Sequence, residues 1–66
     1  MKIQLNGQDC VLDGGATILD LLAREGLADR RVAVELNGCI VPRGLHQTHA
    51  LQEADRVEVV HALGGG

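Results

Sequence analysis

Phenylalanine, tyrosine and tryptophan are all missing from this chain of 66 residues. Its core must therefore be built from Val, Leu, Ile and Ala, and no base or cofactor ring can stack on an aromatic face. Basic residues are sparse as well. Lys2, Arg24, Arg30, Arg31, Arg43 and Arg56 are scattered through a chain of net charge −3, so no basic stripe exists to displace counterions from a phosphate backbone. A nucleic-acid partner is not expected. No apolar run approaches the length that spans a bilayer, and Met1-Lys2-Ile3-Gln4-Leu5-Asn6 lacks the apolar core of a signal peptide. The expectation is a cytoplasmic protein with no membrane partner. In a reducing compartment its two cysteines, Cys10 and Cys39, are expected as free thiols behaving as small hydrophobes. Cys39 follows a turn signal and is expected to be partly exposed, an adventitious oxidation site rather than a catalyst.

Catalytic signatures are absent too. The sequence has no Ser-His-Asp set, no G-x-x-x-x-G-K and no G-x-G-x-x-G. His46 and His49 stand at H-x-x-H spacing without a third ligand nearby, so no metal site is expected. His61, alone before the last residues, reads as a solvated or packed histidine.

What the chain does have is alternation. Met1, Ile3 and Leu5 point one way and Lys2, Gln4 and Asn6 the other, the period of a strand buried on one face, over 1–6. Asn6-Gly7 suits a type I′ turn, and Cys10, Val11 and Leu12 return as a second strand. After Asp13-Gly14-Gly15, Thr17 stands three residues before Asp20 in a weak capping box. The stripe Ile18, Leu21, Leu22 then predicts a short helix over 17–25, with Asp20, Arg24 and Glu25 wet and Gly26 as its left-handed stop. So short a helix must be held by docking on a sheet. Val32, Val34 and Leu36 form a third strand, Asn37-Gly38 repeats the hairpin chemistry, and Cys39-Ile40-Val41 returns until Pro42 ends it at a sheet edge. Residues 43–54 have no sustained period and read as an irregular connection with one turn of helix, anchored by Leu45 and Leu51. Asp55-Arg56 leads into a last strand, Val57 to Val60.

That order predicts an α+β fold, a mixed four- to five-stranded sheet covered on one face by one helix, with the first and last strands parallel and central. It looks like the β-grasp (ubiquitin-like) roll. The reading divides the chain into a domain over 1–62 and a flexible glycine tail over 63–66.

The tail is where chemistry is expected. With Val57 and Val59 inward, Val60 points out and joins Ala62 and Leu63 in an apolar patch beside Gly64. Three extended glycines reach about 10 Å and follow a narrow channel that Cβ atoms would block. A terminal carboxylate threaded into another protein's active site could there be activated as an acyl-adenylate. A frayed, inert end is the alternative.

The hairpin "LNGCIVPR" at Leu36–Arg43, the stretch "DRVEVVHALGGG" and the closing Gly-Gly together resemble the ThiS family, sulfur carriers of thiamin thiazole biosynthesis. The resemblance covers nearly the whole chain. It implies no active site and no bound cofactor of its own. Gly66, with Gly65 beside it, would be adenylated by an E1-like adenylyltransferase using ATP and converted to a thiocarboxylate by sulfur from a desulfurase or rhodanese-like protein. Thiazole synthase would then receive the sulfur. Val60, Ala62, Leu63 and Gly64 are the expected partner-binding surface. Closing glycines also occur in molybdopterin-synthase small subunits and ubiquitin-like modifiers, and a non-catalytic β-grasp interaction module is the remaining alternative.

Overall fold

The computed structural model describes residues 1–61. Five strands and one helix follow in the order β1 (Lys2–Leu5), β2 (Gln8–Val11), α1 (Ile18–Arg24), β3 (Val32–Leu36), β4 (Cys39–Val41) and β5 (Arg56–His61), with a 3₁₀ turn at Arg43–Leu45. The sheet order is β2-β1-β5-β3-β4. β5 lies at its centre, parallel to β1 and antiparallel to β3, and both hairpins are antiparallel. This is the β-grasp arrangement of one helix on a mixed five-stranded sheet, and β4 stands at an edge as Pro42 requires.

Local chemistry accounts for the elements. Asn6 and Gly7 take φ +50° and +82°, Asn37 and Gly38 +52° and +89°, the left-handed pairs of type I′ turns. Leu5 thereby faces Gln8, and Leu36 faces Cys39, across two-residue loops. The Thr17 hydroxyl accepts from the Asp20 amide at 3.1 Å while the Asp20 carboxylate accepts from the Thr17 amide at 2.9 Å, a complete capping box. Gly26, at φ +74°, follows the helix end.

The helix buries Ile18, Leu21 and Leu22 against Ile3, Leu12, Val34, Leu51 and Val57, which together make the core. Leu51 anchors the long connection as expected. Leu45 does not: it is 50% exposed, and the neighbouring His46 is buried in its place at 5%. The cause lies in the 3₁₀ turn, which swings successive side chains by about 120° and offers the imidazole a polar partner. His46 Nε2 lies 3.0 Å from the Val41 carbonyl, so that ring nitrogen carries the proton and donates. Residues 49–51 are further tied to the helix entry by Ile18 N–H to the His49 carbonyl and Leu51 N–H to the Ala16 carbonyl.

Both turn asparagines also grip β5. Asn6 Oδ1 accepts from the Val59 amide at 2.8 Å and Asn37 Oδ1 from the Arg56 amide at 2.9 Å, while Asn37 Nδ2 donates to Asp55 Oδ1 at 3.1 Å. Just before β5, Ala54 holds φ +70°, a conformation costly for any residue with a Cβ. Its amide donates to the Lys2 carbonyl at 2.8 Å, and Gln4 N–H donates to the Asp55 carbonyl at 2.9 Å, so the strained corner delivers β5 into register beside β1.

Candidate functional site

β5 positions the candidate site. Val57 is buried and Val59 half-buried against the core, whereas Glu58 and Val60 face away from the helix. Val60 is 57% exposed, the outward apolar residue that alternation predicts. Ala62, Leu63, Gly64, Gly65 and Gly66 lie outside the described residues, as does the expected boundary after residue 62.

The pairing register shows what shares the open face with Val60. Ala33 stands directly across from it, and Glu35 stands across from both Glu58 and Ile40. Ile40 is 61% exposed. The outer face around the end of β5 thus carries exposed apolar residues at Val60 and Ala33 in one row and at Ile40 in the next, the row in which the carboxylates of Glu35 and Glu58 oppose each other across one ladder. Like charges so placed cost a few tenths of a kcal/mol to about 1 kcal/mol in an isolated sheet. Ile40 and Glu35 were within reach of sequence reading, since the two-residue loop at Asn37-Gly38 fixes their register. The β3–β5 register carries no such local signal.

His61 closes β5 opposite Val32 and is exposed. Cys10 is half-buried and Cys39 exposed, both free. His46 and His49 are not brought together as ligands: His46 is buried with Nε2 on the Val41 carbonyl, His49 is exposed, and no group of three metal-ligating side chains forms among the described residues. No helix among them is long and apolar enough to cross a membrane.

Comparison with known proteins places this geometry in a family. A family model described as the ThiS family matches residues 3–66. The sulfur carrier protein ThiS of Bacillus subtilis is 41% identical, over 97% of this chain and 98% of its own. A thiazole synthase from Magnetococcus marinus is 47% identical over the full chain, which spans only 20% of that protein's length. The crystal structure of a thiamine biosynthesis protein (ThiS) from Geobacter metallireducens superposes with a TM-score of 0.82 at 30% identity, covering 100% of both chains. With a family match reaching from the first strand through the closing glycines and a solved member sharing the whole fold, the chain belongs to the ThiS family of sulfur carrier proteins.

Proposed function

We propose that this chain carries sulfur for thiazole formation in thiamin biosynthesis, with the Gly66 carboxylate as its working group. The observation that carries the reading is the ThiS family match running through Gly65 and Gly66. An E1-like adenylyltransferase supplies the chemistry. A carboxylate oxygen of Gly66 attacks the α-phosphorus of ATP and expels pyrophosphate. The outer sulfur of a persulfide on a desulfurase or rhodanese-like protein then displaces AMP from the acyl carbon to give an acyl disulfide. A second thiol of the partner machinery cleaves it, forming a disulfide with the donor cysteine and leaving a thiocarboxylate. No side chain of this protein takes part. Gly65 and Gly64 offer no Cβ to hinder entry into a narrow channel.

Thiazole synthase is the proposed acceptor. Its support is that thiazole synthases from Magnetococcus marinus and Paramagnetospirillum magneticum each contain a segment matching all of this chain, 47% and 36% identical. The proposed docking surface is Val60 with Ala33 and Ile40 on the open sheet face, continuing to Ala62, Leu63 and Gly64. Apolar side chains left exposed beside the segment that bears Gly66 are what a partner taking up that segment would cover.

Intact-mass spectrometry tests the reading. Incubated with adenylyltransferase, ATP and a sulfur donor, the chain gains the mass difference between sulfur and oxygen, and deletion of Gly66 abolishes the gain while leaving the circular dichroism spectrum intact. Thiolation of the shortened chain refutes the assignment.

A further inference from the structure

Two arginines from separate elements line one pocket. Arg30, on the loop entering β3, and Arg43, on the 3₁₀ turn, border a cavity of about 260 Å³ whose walls include Leu22, Val32 and His46. No carboxylate lines it, although acidic residues outnumber basic ones nine to six in the chain. Neither guanidinium has an ion pair or a side-chain hydrogen bond among the described residues, where the one ion pair is Lys2 with Asp9 at 3.8 Å and the one bonded guanidinium is that of Arg24. Leu22 and His46 are buried and form its floor, while Arg30 and Arg43 are exposed at its rim, where a charged group of a partner can reach them.

Its place in the fold says what could enter. Val32 is the cross-strand partner of His61, and β3 runs antiparallel to β5, so the pocket sits beside the point where β5 hands over to the segment bearing Gly66. The five residues from Ala62 to Gly66 reach at most about 18 Å, at roughly 3.3–3.6 Å each. An enzyme that holds Gly66 in its active site therefore has its surface within that reach of this corner of the carrier. We propose that the Arg30–Arg43 pocket receives an aspartate or glutamate side chain of the adenylyltransferase that takes up the tail. Planar guanidiniums match a carboxylate in forked geometry, and an arginine left without an internal partner loses no intramolecular bond on pairing. This contact is electrostatic and lies at the end of the sheet, distinct from the apolar residues around Val60. It rests on the carrier reading.

Charge reversal separates the two. In ATP–pyrophosphate exchange driven by the carrier, R30E and R43E should each raise the KM for the carrier tenfold or more with kcat unchanged, and R43K should recover part of the loss. K2E makes the same change in net charge on β1 and should move KM less than twofold. The wild-type KM should rise with salt more steeply than that of R43E. In a second arm, inorganic phosphate titrated at low salt should shift the backbone amide resonances of Arg43, Gly44 and His46 saturably, and the R30A/R43A double variant should abolish this. R43E indistinguishable from K2E overturns the proposal while leaving the carrier function intact, and amides indifferent to phosphate overturn the pocket itself. A wild-type chain that supports no exchange at all removes the carrier reading and this contact with it.

Discussion

Asn37 offers a direct measure of how firmly the second hairpin holds the central strand. Its backbone takes φ +52° in the turn, while its side chain accepts from the Arg56 amide at 2.9 Å and donates to Asp55 at 3.1 Å. Substituting Asn37→Gly keeps the left-handed backbone free of strain and removes only the side chain. Each hydrogen bond is worth about 0.5–1.5 kcal/mol net, so the loss should be about 1–3 kcal/mol, with a further few tenths from the looser unfolded chain. For a domain of this size that corresponds to a fall in Tm of roughly 4–8 °C per kcal/mol. Asn37→Ala loses the same bonds and adds about 1–2 kcal/mol for a Cβ in the left-handed region. The assay must be urea unfolding followed by far-ultraviolet circular dichroism, because a chain without Trp or Tyr has no useful intrinsic fluorescence. Stability of N37G equal to or above wild type would refute the clamp, and N37A no worse than N37G would refute the conformational part of the reasoning.

Three further outcomes follow from the fold and the site. Thr17→Ala removes one arm of the capping box and should lower stability by about 1 kcal/mol in the same urea titration. Ala54→Gly relieves the left-handed corner before β5; the gain of about 1–2 kcal/mol is partly offset by about 0.4–1 kcal/mol of unfolded-chain entropy, so its urea midpoint should equal or slightly exceed wild type. Val60→Gln, at an exposed position, should change stability by no more than about 0.5 kcal/mol yet raise the KM for adenylation several-fold, read by pyrophosphate exchange. An unchanged KM would take Val60 out of the docking surface.

Much of this architecture was legible because its determinants are local. The two Asn-Gly turns fix their hairpins, Thr17 and Gly26 bracket the helix, and the alternation of Val57 to Val60 assigns each side chain to a face. The connection over 43–54 was legible only in part, because its structure answers to distant groups. His46 is buried through a bond to the Val41 carbonyl, and residues 49–51 are held by the amides and carbonyls of Ala16 and Ile18, none of which leaves a period in the sequence. An aliphatic anchor at Leu45 was the natural expectation, yet the 3₁₀ turn rotates that side chain into solvent. Ala54 was silent for a related reason: alanine carries no preference for positive φ, and the corner is imposed by its bonds to β1. At the site, Val60 could be read from parity, whereas the confrontation of Glu35 with Glu58 depends on a register between strands far apart in sequence.

The central placement of β5 bears on what happens when a partner tugs on the residues beyond it. Tension applied past His61 runs along the strand axis, parallel to the ladders with β1 and β3 instead of across them. The backbone bonds to both neighbours, together with the Asn6 and Asn37 clamps, then carry the load at once in shear, and none can open by itself ahead of the rest. A pull beyond His61 is thus met by the sheet as a whole, and a domain of such modest size keeps its shape under it.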